Sequence, residues 1–274
     1  MNNHKIAFIG CGAMGSTLAI AATKAVSPAQ IYITDLDYEK AENFARSIGA
    51  NFVNSAIDAA NMCDTIMLCT KPQTVKEVLG TLTPVFQNAI SQGKRKLLCS
   101  ILAGVNTNSL AHFLGLENQA ILRLMPNTPA VIGKGLGLIA ANKWVTEEEK
   151  QQFFTQFSAL GKLSFLEEDL FDAGTVLASC APAYVYQFIE YLADAGIKMG
   201  LSAEDALHFA ANACYGASAM VIHADKSPKA LRDMVTSPDG STIEGVRILE
   251  QEGFASLIKQ AAMASLKRNK ELGS

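Results

Sequence analysis

From residue 5 to about residue 165, apolar residues come in short runs at 5–9, 30–34, 65–69, 96–100 and 120–124, separated by stretches of helical periodicity. Such alternation predicts parallel βαβ units and hence an α/β fold with a doubly wound sheet. Weaker runs at 135–140 and 162–165 predict further strands that extend the sheet edge. They flank a helix starting near Thr146, where T-E-E-E is a capping pattern with acids in its first turn. After Glu167 the texture changes to alanine-rich helical periodicity, which predicts a second, all-helical domain over 167–274 beside the sheet domain of 1–166. Its first helix, 169–199, should kink at Pro182, because proline lacks the N–H and clashes with the preceding turn, and Gly200 should cap it. The next helix runs from Ser202 to about residue 224, and its small residues Ala210, Ala213, Gly216 and Ala217 suit close packing between subunits.

The first strand runs directly into Gly10-Cys11-Gly12-Ala13-Met14-Gly15, a GxGxxG turn opening onto an apolar helix expected at 16–25. Gly10 lets the chain turn, Gly12 lets the backbone approach a pyrophosphate, and Gly15 lets helix and strand pack closely. The phosphates would then sit against the free N–H groups and the positive end of the helix. GxGxxG alone marks many tight turns. Here a strand precedes it, a helix follows it, and Asp35 lies at the end of the second apolar run, where an acidic residue accepts from a ribose 2′-hydroxyl.

The chain has 274 residues, enough to bury a substantial core and to form two domains. No uncharged apolar stretch reaches the roughly 18 residues of a spanning helix. MNNHK leads straight into a strand rather than into a cleavable leader, so a soluble, cytoplasmic protein is expected. A net charge of −3 from 23 basic and 26 acidic residues argues against a nucleic-acid partner. The six cysteines include no CxxC pair and read as reduced packing residues, and the four histidines share no metal-ligand spacing, so no metal is expected.

Ser237-Pro238-Asp239-Gly240-Ser241-Thr242 leads into a helical pattern with apolar residues at 243, 246 and 249. This loop-to-helix junction offers backbone N–H donors beside hydroxyls, suited to a small carboxylate, although an ordinary N-capped helix after a proline turn has the same local pattern. Thr70, Lys71 and Pro72 follow the 65–69 strand, where a doubly wound sheet opens its crevice; Pro72 also suits the first position of a helix. Ser100 and Ala103 follow the next strand, while Asn127 and Thr128 read as a shaped loop wall.

Together these runs resemble pyrroline-5-carboxylate reductase over nearly the whole chain. The matching segments are IGCGAMG, TKP at 70–72, SILAGV at 100–105, RLMPNTPA at 123–130, APAYVY at 181–186 and TSPDGSTIEGV at 236–246. The resemblance implies an N-terminal Rossmann domain and a C-terminal helical dimerisation domain, in a homodimer or assembly of dimers whose helical domains interlock to complete each active site. It implies hydride transfer from NADPH or NADH to the C=N carbon of an imino-acid substrate, giving L-proline, the last step of proline biosynthesis. It further implies that Ser237, Gly240, Ser241 and Thr242 bind the substrate, with Thr242 near the imine nitrogen as the catalytic candidate. The implied cofactor contacts are Gly10, Cys11, Gly12, Ala13, Met14, Gly15, Asp35, Thr70, Lys71, Pro72, Ser100 and Ala103.

The chain departs from the family pattern in two places. Asp239 and Gly240 stand where the family usually has two glycines, and Ser241 stands where threonine or alanine is common. SCAPAY at 179–184 replaces a pattern closer to GSGPAY, so Cys180 and Ala181 stand for serine and glycine. Asp35 opposes a 2′-phosphate and leans to NADH, whereas the family habit and nearby Lys40 allow NADPH. Two other functions remain open on sequence: a β-hydroxyacid dehydrogenase, poorly served because 169–199 carries only Lys198, and a non-catalytic dinucleotide sensor.

Overall fold

The computed structural model describes residues 4–272; residues 1–3, part of the segment on which the absence of a leader was read, lie outside them. Strands β1 (Ile6–Ile9), β2 (Ile31–Thr34), β3 (Asn51–Phe52), β4 (Thr65–Leu68), β5 (Leu97–Ser100), β6 (Ile121–Met125), β7 (Gly135–Ala141) and β8 (Gly161–Phe165) form one sheet in the order β3-β2-β1-β4-β5-β6-β7-β8. Between them run α1 (Ala13–Ala22), α2 (Tyr38–Ile48), α3 (Ala56–Met62), α4 (Val75–Ser91), α5 (Thr107–Leu114) and α6 (Glu147–Phe157). The strand order reverses between β1 and β4, which pair in parallel with Ile6 opposite Thr65 and Ile9 opposite Leu68. That switch point opens a crevice at the carboxyl ends of the two strands.

Both faces of the sheet are covered, which explains why the strands read as unbroken apolar runs. Ile6, Phe8 and Met67 pack in one layer with Leu18, Ala22, Phe153 and Phe157, while Ile66 and Leu68 pack in the other with Leu79, Phe86 and Leu110. The predicted edge strands form as β7 and β8, but β7 runs antiparallel to β6. Only a short 3₁₀ turn, Thr128–Ile132, connects them, too little chain for a parallel crossover. The two-residue β3 is absent from the sequence reading because no apolar run marks it.

Among the described residues, one compact unit contains 4–179 together with 266–272, and the second is Cys180–Ser265. Phe171 and Ala178 belong to the first unit because they pack with Met125, Leu138 and Ala140. Residues 169–199 do not form one kinked helix. A 3₁₀ turn, Glu168–Leu170, precedes α7 (Phe171–Thr175), a π turn spans Val176–Cys180, and α8 (Ala181–Lys198) begins with Pro182 in its first turn. Pro182 cannot donate to the carbonyl four residues earlier, that of Ala178. That carbonyl instead accepts from Asn127 Nδ2 at 2.8 Å.

The second unit contains α8, α9 (Ala203–His223), α10 (Pro228–Met234), α11 (Ser241–Gln251) and most of α12 (Phe254–Leu272). Its internal core is small: Ala193, Ala206 and Ala210 are buried, with Ile189 against them. Among the described residues no helix is long and apolar enough to cross a membrane.

The cap read at Thr146 is present as a full capping box. Its N–H donates to Glu149 Oε2 at 2.8 Å and its Oγ1 accepts from the Glu149 N–H at 3.2 Å, while Arg95 pairs with the same carboxylate at 3.0 Å. Thr146→Ala should lower the unfolding free energy by about 1 kcal/mol in urea titrations, and an unchanged midpoint would deny the cap a role.

Candidate dinucleotide and carboxylate sites

In the first unit the glycine turn is shaped by contact. Gly10 has φ +103°, its N–H donates to Thr34 O at 2.8 Å, and a Cβ there would lie 2.5 Å from the Cys69 carbonyl oxygen. A Cβ at Gly15 would overlap the Gly10 carbonyl, whereas at Gly12 it would meet nothing within 4 Å. The first and third glycines are therefore demanded by packing, and the second leaves an open face. Gly12 is also the N-cap of α1 and no side chain caps that helix. Helix α1 starts three residues earlier than the sequence pattern placed it, so Ala13, Met14 and Gly15 already form its first turn. Open space above Gly12 and N–H groups without a side-chain acceptor fit a pyrophosphate.

Asp35 reaches back to this loop: its Oδ2 accepts from the Cys11 N–H at 2.7 Å and its Oδ1 from the Asp37 N–H at 3.2 Å. Burial opposes its charge, but these two donors, with Lys40 nearby, hold the carboxyl below the usual range. The Cys11 thiol is pushed up to about 11 by burial and by Asp35, so it stays protonated and packs in the core.

The other expected cofactor residues lie at the ends of β4 and β5. Thr70 follows the Cys69 carbonyl against which Gly10 lies, and its Oγ1 is buried with no hydrogen-bond partner among the described residues. Lys71 and Pro72 open an exposed 3₁₀ turn into α4, with the proline at its first position. Ser100 is buried and its Oγ accepts from the Leu102 N–H at 3.2 Å, while Ala103 packs against the cluster containing Met125 and Phe171. Asn127 is a clamp: besides reaching Ala178, its Oδ1 accepts from the Leu136 N–H at 3.0 Å. Ser179 Oγ donates to Pro126 O at 3.1 Å, which fastens the π turn to the same loop.

In the second unit, Ser237 to Gly240 form a turn closed by the Gly240 N–H donating to Ser237 O at 3.1 Å. Gly240 is the N-cap of α11 in extended conformation, with φ −83° and ψ 163°, and a Cβ there would overlap Ser237 Oγ. No side chain caps α11, and the exposed hydroxyls of Ser237, Ser241 and Thr242 have no partner among the described residues. Ser241 and Thr242 are its first two residues, so hydroxyls and backbone N–H groups share one helix start, an arrangement suited to a carboxylate. Asp239 has no left-handed backbone, since every positive φ in the described residues belongs to glycine. Cys180 is half-buried at the start of α8.

Sequence reasoning missed Arg123, a buried cation in β6 paired with Glu168 at 2.6 Å. A lone arginine inside the apolar run ILRLM was the available signal. Among the described residues no group of three or more His, Cys, Asp or Glu is arranged to hold a metal.

Two family models match the chain. One described as pyrroline-5-carboxylate reductase dimerisation covers residues 168–272, and one described as NADP oxidoreductase, coenzyme F420-dependent, covers residues 5–104. A pyrroline-5-carboxylate reductase of Escherichia coli (strain K12) is 35% identical over 270 residues, covering 98% of both chains. That of Glycine max is 36% identical over 272 residues, covering 98% of this chain and 96% of the relative. Among solved structures, the pyrroline carboxylate reductase of Plasmodium falciparum with NADP bound matches with a TM-score of 0.87 at 30% identity, over 100% of both chains. The pyrroline-5-carboxylate reductase of Coxiella burnetii matches with a TM-score of 0.90 at 28% identity, also over 100% of both chains.

Gly12→Ala tests the phosphate cradle separately from packing, because its Cβ meets no protein atom. It should weaken dinucleotide binding about tenfold, or ~1.4 kcal/mol, with little change in Tm. Unchanged affinity, read by quenching or energy transfer from Trp144, would mean that no phosphate lies over Gly12.

Proposed function

This chain belongs to the pyrroline-5-carboxylate reductase family, and from that premise we propose how its own residues carry the reduction of 1-pyrroline-5-carboxylate to L-proline. It is an NAD(P)H-dependent oxidoreductase acting on a C=N bond, at the last step of proline biosynthesis. Reduced nicotinamide, when bound, supplies the hydride that the imine carbon accepts. A ring nitrogen that enters protonated leaves as an amine without a further proton, so the protein's main task is to position the reactants.

The uncapped start of α11, with three partnerless hydroxyls, carries the substrate assignment. Ser237, Gly240 and Ser241 hold the carboxylate through hydroxyl and backbone N–H donors, and the Thr242 hydroxyl hydrogen-bonds the ring nitrogen. A Cβ at Gly240 would displace the Ser237 hydroxyl, so glycine there leaves that hydroxyl free to turn toward a ligand. Asp239 is exposed, so its charge stays solvated.

On the cofactor side, the first turn of α1 from Gly12 onward holds the pyrophosphate. The orphaned Thr70 hydroxyl and the half-buried Ala103 line the crevice at the ends of β4 and β5, with Lys71, Pro72 and Ser100 shaping its edge. Asp35 stays ionised, and two backbone donors leave it capacity to accept a ribose hydroxyl. Its charge beside the adenosine ribose favours NADH, although the fold accepts either dinucleotide.

The helical unit makes this enzyme a homodimer. Helix α9 has 21 residues yet buries only Ala206 and Ala210 within the chain, while Phe209, Tyr215 and Ile222 remain 54%, 68% and 75% exposed. So much apolar surface on one helix is covered by a second copy. A cytoplasmic location is part of the same proposal, supported by six cysteines that are all free.

Nicotinamide absorbance followed with pyrroline-5-carboxylate tests the reaction and the roles. Thr242→Ala should lower kcat by about 10- to 100-fold while dinucleotide affinity holds, and an unchanged kcat would remove Thr242 from the chemistry. With the unaltered enzyme, kcat/KM should be higher for NADH; an advantage of more than about tenfold for NADPH would overturn the role given to Asp35.

A further inference from the structure

Arg123 is the buried cation of β6, with 4% of its side chain exposed. Its guanidinium stands over the Phe171 ring at 4.2 Å, and Nη1 donates to Glu168 Oε1 at 2.6 Å. Glu168 in turn receives the Thr107 hydroxyl at 2.7 Å on Oε2 and the Thr107 N–H at 3.4 Å on Oε1. Thr107 is the first residue of α5, so the carboxylate also sits at the positive end of that helix. A continuous chain of charge-assisted hydrogen bonds thus runs from the sheet, through a residue 61 positions away in sequence, to the far end of the loop that follows β5.

That loop, residues 101–106, carries Ala103 and turns at Gly104 with φ +76°. It is fixed near its β5 end by Ser100 Oγ, which accepts from the Leu102 N–H, and at its α5 end by Glu168. A polar cavity of about 340 Å³, lined in part by Gly104, Asn106, Arg123 and Glu168, lies alongside the loop. The pair is costly to build, since Arg123 Nε is buried without a partner and an unpaired guanidinium would be worse. Neither Arg123 nor Glu168 belongs to the proposed cofactor or substrate contacts.

We propose that Arg123, Glu168 and Thr107 are positioning residues for the reduction: they set the 101–106 loop, and through Ala103 the wall against which the reacting ring of the cofactor is held. This rests on the cofactor assignment made above for Ala103. Misplacing such a wall by a fraction of an ångström costs rate without costing pyrophosphate affinity, because the phosphate cradle lies on a different loop.

Thr107→Val is the informative variant, because it removes only the hydroxyl and leaves the Arg123–Glu168 pair intact. The expected result is a kcat about tenfold lower, with dinucleotide Kd and Tm nearly unchanged, faster amide hydrogen exchange confined to residues 101–106, and recovery of both readouts in Thr107→Ser. Unchanged loop exchange in Thr107→Val, or a kcat loss that Thr107→Ser fails to restore, would overturn the proposal. If the exchange changes as expected while the unaltered enzyme reduces no imine, the anchoring stands and the reductase reading fails. If the enzyme is active and Thr107→Val keeps full kcat despite a loosened loop, the positioning role fails alone.

Discussion

At the carboxyl ends of β1 and β4 the backbone of Gly10 lies so near the Cys69 carbonyl that no side chain fits between them. Much of the first unit depends on this approach. It sets where the chain leaves β1, and it lets Gly15 pack on the Gly10 carbonyl so that α1 begins at once. The same geometry brings the Cys11 N–H within reach of Asp35 and puts Thr70 beside the glycine turn. One steric constraint therefore creates an uncapped helix start, an ionised carboxylate and an orphaned hydroxyl around a single crevice. Each is a group suited to a dinucleotide.

The second unit has an uncapped helix start too, without a backbone overlap behind it. Gly240 lies against Ser237, and α11 starts without a side-chain cap, with Ser241 and Thr242 as its first residues. In both units a glycine-bearing loop overlaps the first helical turn, which is why motif and helix could not be separated cleanly in sequence. The anions differ in kind. The first helix start suits a pyrophosphate through backbone alone, whereas the second adds hydroxyls suited to a small carboxylate and a ring nitrogen.

Local rules wrote much of this plainly. The glycine spacing, the apolar strands and the Thr146 capping box each depend on residues a few positions apart, and each stands in the structure where the pattern put it. What the pattern concealed depends on distant partners. Arg123 meets Glu168 across 45 positions, and Asn127 supplies Ala178 with the donor that Pro182 lacks across 51. The π turn at Val176–Cys180 is therefore a tertiary feature, and a periodicity argument could only draw one kinked helix through it. The antiparallel β7 was hidden for a related reason: direction follows from the brevity of the Thr128–Ile132 connection, not from the strand's own composition.

Of the two proposed anion anchors, one for the cofactor and one for the substrate, the second is the less ordinary. The most direct test compares pyrroline-5-carboxylate with 1-pyrroline, the same cyclic imine without its carboxylate, by initial rates of nicotinamide oxidation. If the Ser237–Thr242 loop holds the carboxylate during hydride transfer, the unsubstituted ring should lose about 100-fold in kcat/KM while the KM for the dinucleotide is little changed. Equal kcat/KM for the two imines would contradict the account, because the ring alone would then suffice for recognition.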